Sequence, residues 1–444
     1  MSKEKIFFIS LGCEKNRVNT ERMIWLVKEA GYTVVNEDIR ADVVVINSCA
    51  FIDEAKRETI DTVLDVAWLK EHKNLKAIVM TGCMPERYRE EIFTELPEVD
   101  AVLGTGSYER IVEAIEEALQ KKKYARFEDK DLCPIGGKRT LTGQTFTAYM
   151  KIGEGCNNRC TYCAIPLIRG KYRSRPIEEL VEEAQWLEKE GVKELNLIAQ
   201  DTSIYGIDLY GKYSLARLIR AITDNTSIPW IRVLYCYPDK ITDELLEEFK
   251  NNDRLVKYLD LPVQHISDKM LSAMNRHGDK ALILDTLARI RQAVPDMTLR
   301  STGIVGFPGE SEEDFTEFCE FLKIARFDKF GAFPYSREEN TPAYDFEDQI
   351  DEQTKQDRYD ALMAVQMEIS TEKAEEKVGK TLEVLVEGYD PVAQAWFGRS
   401  KSDAPDIDGK VFFAGKKGQY TPGTFINVHI TEGLDYDLVG EVEK

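Results

Sequence analysis

No apolar run in the 444 residues approaches the roughly 18 needed to cross a bilayer, which argues against a membrane protein. The opening stretch MSKEKIFFISLGCEK has a lysine pair and an apolar run too short for a secretory signal; it reads as a first β-strand. The expected location is cytoplasmic, where cysteines serve metals or catalysis rather than disulfides. Positive charge is scarce: 59 Lys and Arg face 79 Asp and Glu, a net charge of −20. A protein whose main task is to grip phosphates would carry a basic excess or a basic domain. The acidity favours a neutral or basic macromolecular partner, or serves solubility alone. Beyond a strand–helix period no internal repeat is evident, and at 43% hydrophobic residues the chain can bury more than one core.

Residues 1–120 alternate strand and helix. KIFFISLG, ADVVVINS and LKAIVMTG are apolar strand runs, each followed by a helical stretch. The alternation predicts an α/β unit with a doubly wound parallel sheet. Residues 121–141 are polar, contain Gly136-Gly137 and read as a linker. Residues 142–375 hold six strand candidates: TAYMKI, KELNLIA, WIRVLYC, YLDLPVQ, TLRSTGIVGF and KFGAFPYS. Helical runs separate them, which predicts a partial (βα)6 barrel with its chemistry at the carboxyl ends of the strands. Residues 376–444 contain five short strand-like pieces and predict a small all-β barrel of the oligonucleotide-binding type.

The nine cysteines are not evenly spread. GCNNRCTYCAIPLIRG places Cys156, Cys160 and Cys163 in one polar loop after the first barrel strand. No fourth Cys or His lies near them to complete a zinc site, so zinc is not expected. Three thiolates suit a four-iron four-sulfur cluster with one iron left open for a small chelating ligand. Cys13, Cys49 and Cys83 lie 36 and 34 residues apart, each just beyond a predicted parallel strand. A parallel sheet brings such ends to one edge, so these three point to a second metal cluster. Cys133, Cys236 and Cys319 have no such arrangement and read as structural. IAQDT ends the second barrel strand and TGIVGFPGE the fifth. Their glycines could let backbone approach a ligand, or serve ordinary turns.

C-x3-C-x-aromatic-C after the first strand of a partial barrel resembles the radical S-adenosylmethionine (SAM) superfamily. The resemblance implies that the open iron on Cys156, Cys160 and Cys163 binds SAM. It also implies SAM contacts from Tyr162, Gln200, Asp201, Gly303 and Gly306. Two cysteine trios followed by a terminal barrel resemble the methylthiotransferase family over nearly the whole chain, through SLGCEKNRVNTERM, INSCAFIDEAKRETI and TGCMPERY. That family implies a second 4Fe-4S cluster on Cys13, Cys49 and Cys83 which carries or delivers the inserted sulfur. One SAM supplies the methyl group and another the radical, an external donor supplies electrons, and a TRAM-like terminal barrel docks the substrate.

QDTSIYGIDLY, YLDLPVQHISDKML, FGAFPYSREENTPA and WFGRSKSDAPDIDGKVFF are similar to the branch that modifies the β-carbon of an aspartate in small-subunit ribosomal protein number twelve. Tyr162 stands where that branch often has Phe, and Asn19 where it often has Asp; neither departure removes a cysteine. Residues 377–444 hold 11 acidic and 8 basic side chains, which suits a basic ribosomal protein better than transfer RNA. Lys416 and Lys417 could still touch ribosomal RNA. Two alternatives stand: a transfer-RNA methylthiotransferase, and a non-catalytic iron–sulfur electron-transfer or scaffold protein. A homolytic step requires no general base at the attacked carbon, so His265 is expected to pack or position.

Overall fold

The structure, a computed structural model, describes residues 3–443. In the amino-terminal unit six strands form one parallel sheet: β1 (Lys5–Ser10), β2 (Thr33–Val34), β3 (Val43–Ser48), β4 (Ala77–Gly82), β5 (Ala101–Leu103) and β6 (Tyr124–Arg126). Their order is β2-β1-β3-β4-β5-β6. β3 and β4 are buried at every position, because helices cover both faces of a sheet whose strands are continuously apolar. The order reverses at β1, so the carboxyl ends of β1 and β3 flank the crevice where doubly wound sheets place their ligands. β2 and β6 are edge strands of two and three residues, too short to leave a period-2 pattern. β6 lies in the segment expected as a linker.

The central unit starts at β7 (Thr147–Lys151). A short antiparallel pair, β8 (Gly153–Glu154) and β9 (Arg173–Ser174), then closes the base of the three-cysteine loop. β10 (Glu194–Ile198), β11 (Trp230–Val233), β12 (Leu255–Asp260), β13 (Thr298–Val305) and β14 (Lys329–Pro334) follow. The sheet order is β14-β13-β12-β11-β10-β7, all parallel, an open barrel of six strands. Its outward residues, such as Leu195, Ile231 and Leu299, pack under the surrounding helices in one continuous core. After the 24-residue helix Glu352–Glu375, β15 (Thr381–Asp390), β16 (Ala395–Ser400), β17 (Val411–Phe413), β18 (Phe425–Gly433) and β19 (Leu438–Val442) close into a small barrel. No helix among the described residues is long and apolar enough to cross a membrane.

The small barrel plugs the amino-terminal mouth of the central barrel. Glu194 opens β10 and accepts from Arg232 of β11 at 3.0 Å and from Arg399 of β16 at 2.5 Å. All three side chains are buried. Asp403 pairs with Lys329 at the start of β14 at 2.8 Å, and Tyr258 donates to Asp408 at 2.6 Å. The acidic run SDAPDID is thus largely spent inside the molecule. Truncating Glu194 to alanine leaves buried Arg232 without its carboxylate and Arg399 with Glu387 alone, and we expect a loss of about 3–5 kcal/mol in urea unfolding.

The same contacts set an acid limit. Burial pushes the Glu194 carboxyl up, but Arg399 and Arg232 outweigh it and hold it below the usual range. Burial likewise opposes Asp403, and Lys329 and Lys377 hold it down. A depressed carboxylate stabilises the fold fully above its unfolded pKa, about 4, and loses that contribution as pH falls through the folded value. Limited proteolysis along a falling pH series should therefore release the terminal barrel only below about pH 4.

Candidate functional site

The amino-terminal trio gathers where the sheet order reverses. Cys13 caps the helix Glu14–Glu29, Cys49 follows β3, and Cys83 opens the helix Cys83–Tyr88. Gly12 has φ of +79°, and a Cβ there would lie 2.7 Å from the Cβ of Cys49 and 2.8 Å from its Sγ. Only glycine lets the two cysteine loops meet this closely. Asn16 is buried and donates to the carbonyls of Leu11 at 2.9 Å and Ser48 at 3.0 Å, tying the loop before Cys13 to that before Cys49. Burial, together with Cys83 and Cys13 nearby, pushes the Cys49 thiol up to about 12. Burial also raises Cys83, against the pull of Arg169. Such thiols become thiolates readily only when a cation is placed among them. We expect Gly12→Ala to displace Cys49 and lower the iron retained after anaerobic reconstitution, measured per chain.

The second trio lies between β8 and β9, at the carboxyl edge of the central barrel. Cys156 and Cys160 are buried and Cys163 is half-buried. Burial, then Cys160, raises the Cys163 thiol; burial also raises Cys156. Asn158 donates to Asp201 at 2.8 Å and lies 3.5 Å from the Cys156 Sγ. Lys240 donates to Asn158 at 2.7 Å and Asp201 at 2.9 Å. Arg276 lies 3.7 Å from the Cys160 Sγ, its guanidinium 4.2 Å from the Tyr237 ring centre. All nine cysteines are free thiols. Among the described residues no three His, Cys, Asp or Glu side chains converge as ligands of one ion. Three thiols around each loop could instead take separate corners of a cubane cluster.

The remaining residues expected to contact SAM have structural partners of their own. Asp201 is held by Asn158, Lys240 and Ser203, so its carboxylate braces the cysteine loop from behind. Gln200 donates to Glu154 at 2.7 Å, and its other side-chain atom, Oε1, is buried without a partner. Tyr162 packs edge-on to Phe307, ring centres 6.5 Å apart. A Cβ on Gly303 would strike Phe318 at 2.6 Å, and one on Gly306 would strike Lys355 at 2.3 Å, so packing alone requires both glycines. His265 is buried against Phe318, ring centres 4.6 Å apart, and its Nδ1 accepts from the Ser267 amide at 3.0 Å. Lys240 and Arg276 come from distant segments and left no local signal beside the cysteines.

The two trios face one interface. Tyr235, beyond β11, donates to Glu14 at 2.9 Å and lies under Lys15, 3.2 Å from its Nζ to the ring centre. Glu338, beyond β14, takes Arg87 at 2.6 Å and Lys56 at 3.2 Å. Ala164 and Ile168, directly after Cys163, are buried in the core of the amino-terminal unit with Cys83 and Met84. A cavity of about 830 Å³ opens beside Cys13 where the three units meet, lined also by Glu14, Tyr149, Arg399 and Asp406.

An open six-stranded parallel barrel with a three-cysteine loop after its first strand defines a radical SAM protein, here joined to a second three-cysteine sheet and a small β-barrel. Residues 150–322 match the radical SAM superfamily, 5–104 the uncharacterized protein family UPF0004, and 378–442 the TRAM domain. A protein named ribosomal protein uS12 methylthiotransferase RimO from Thermoanaerobacter sp. (strain X514) is 46% identical over 439 residues, 99% of this chain and 100% of its own. The protein of that name from Lachnoclostridium phytofermentans is 44% identical over 440 residues, again 99% and 100%. The chain belongs to this methylthiotransferase family. Among solved structures, the radical S-adenosylmethionine methyltransferase TsrM from Kitasatospora setae, with cobalamin and a [4Fe-4S] cluster bound, shares the fold. Its TM-score is 0.56 at 12% identity, over 86% of this chain and 81% of that one.

Proposed function

We propose that this enzyme inserts a methylthio group at the β-carbon of an aspartate in ribosomal protein uS12. The observation that carries the reading is a pair of three-thiol sites on two separate sheets facing one interface, in a chain 46% identical along its length to a protein named for that reaction. In this reading Cys156, Cys160 and Cys163 hold one 4Fe-4S cluster together with SAM, and Cys13, Cys49 and Cys83 hold a second. Once bound, these groups supply homolytic hydrogen abstraction and sulfur transfer, with electrons from an external donor.

The chain's own side chains prepare the place. Asp201, Asn158 and Lys240 hold the Cys156 loop in one shape, while Arg276 and Lys240 set positive charge beside an anionic group. Tyr235 and Glu338 seat the amino-terminal unit on the barrel. The cavity beside half-buried Cys13 gives a polypeptide loop a way in. No general base is needed, which agrees with the packed His265. A cytoplasmic location and contact with the ribosome accompany a ribosomal-protein substrate, and the scheme uses no zinc.

Surface charge of the terminal barrel decides less than its composition suggested. From Lys377 onward, the described residues expose six carboxylates against five lysines; Asp403 and Asp408 turn toward the central barrel and Glu387 pairs with Arg399. That surface is not the basic one a transfer-RNA grip needs. The test is anaerobic reconstitution with SAM and reductant, offering a uS12 loop peptide and unmodified transfer RNA in parallel. Mass spectrometry should find the methylthio group on the peptide alone; gain on RNA alone would overturn the substrate.

A further inference from the structure

We infer that Arg169, on the loop of the SAM-site cysteines, is a positioning residue of the other cluster site and sets its reduction potential. This rests on the reading of Cys13, Cys49 and Cys83 as cluster ligands. Arg169 ends the helix Ile165–Arg169, six residues after Cys163, and is buried. Its Nη2 donates to the Cys83 Sγ at 3.4 Å and to the Oδ1 of Asn16. Asn16 in turn holds the carbonyls of Leu11 and Ser48, just before Cys13 and Cys49. One guanidinium from the central unit therefore braces all three cysteines of the amino-terminal unit, one directly and two through Asn16. The helix itself is anchored in that unit: Thr105 donates to the Ile168 carbonyl at 2.6 Å.

An ordinary ion pair with Glu154 does not explain this placement. Glu154 is already met by Lys151 at 2.6 Å and Gln200 at 2.7 Å, and Arg169 stands 3.7 Å away. Lys151 and Arg169 are both buried, with Glu154 as their shared carboxylate; the other acceptor of Lys151, Asn19 at 2.6 Å, is neutral. Burial pulls the Lys151 ammonium toward neutrality, but a guanidinium does not deprotonate. Arg169 stands 3.7 Å from a carboxylate already bonded to Lys151 and Gln200, which leaves a buried cation that a further anion would stabilise. A thiolate-bound cluster at Cys83 is such an anion. A buried cation and an N–H···S bond favour its reduced, more negative state and so raise the potential.

The test uses the full chain with Cys156, Cys160 and Cys163 changed to alanine, so that only the amino-terminal cluster reports. If this parent holds no iron after reconstitution, the cluster reading fails and the inference with it. If it holds a cluster, Arg169→Met should shift the midpoint downward in an EPR-monitored redox titration. We expect at least a tenfold change in the oxidised-to-reduced ratio at a given potential, ~59 mV for one electron. Loss of iron with an unchanged circular dichroism spectrum would equally support a positioning role. Arg169→Lys keeps the charge but not the planar fork, and should fall between; it carries the test if the methionine variant does not fold. An unchanged midpoint and iron content in the variants that fold would overturn the inference.

Discussion

Alanine at Cys156, Cys160 and Cys163 lowers the iron of the reconstituted enzyme from about eight atoms per chain to about four and abolishes 5′-deoxyadenosine formation. The expectation follows from the separateness of the two sites. Cys13, Cys49 and Cys83 lie on a different sheet and share no position with the mutated loop, so their four irons stay. The loop itself does not depend on its thiols for shape. Asn158, Asp201 and Lys240 bond it from behind, and Ala164 and Ile168 anchor its far end in the amino-terminal core. The variant should thus remain folded while losing the centre that opens SAM, and product should fall to the uncatalysed level. Iron analysis and chromatography of the nucleoside check both halves. Retention of all the iron would mean that these cysteines are not ligands.

Alanine at Cys13, Cys49 and Cys83 should give the complementary pattern. Iron again falls by about half, but 5′-deoxyadenosine still forms, uncoupled from product, and no methylthio group appears on the substrate. The radical site keeps its own cysteines, its Asp201–Lys240 brace and Arg276 in this variant. In the proposed reading, what is lost is the place from which sulfur comes. If methylthiolation persisted at more than a trace, the assignment of sulfur delivery to this sheet would be wrong. If 5′-deoxyadenosine also vanished, the two sites would depend on each other more tightly than the bonds across their interface imply.

Much of this was legible because the signals were local. KIFFIS, VVVINS and AIVMTG announced their strands by unbroken apolar runs, and parallel topology then forced the cysteines beyond them toward one edge. The loop Cys156–Cys163 displayed its three thiols within eight consecutive residues. What stayed hidden depends on long-range pairing. Nothing in WFGRSKSDAPDID says that Arg399 will enter the mouth of another barrel to meet Glu194, so its aspartates simply counted toward an acidic terminal barrel. Lys240 and Arg276 reach the cysteine loop from 80 and more residues away. Arg169 sat inside the quoted motif but showed its role only once the helix after Cys163 was seen buried in the neighbouring unit. Gly303 and Gly306 of TGIVGFPGE read as points of ligand approach or as ordinary turn residues, and the structure sets the first against the rings of Phe318 and Phe330 and the second against the stem of Lys355.

The most direct measurement supplies a uS12 loop peptide deuterated at the β-carbon of its aspartate to the reconstituted enzyme with SAM and reductant. The account predicts deuterium in the 5′-deoxyadenosine and a methylthio group on the same peptide. Methylthiolated peptide with unlabelled 5′-deoxyadenosine would contradict it, because the hydrogen removed would then not be the one that sulfur replaces.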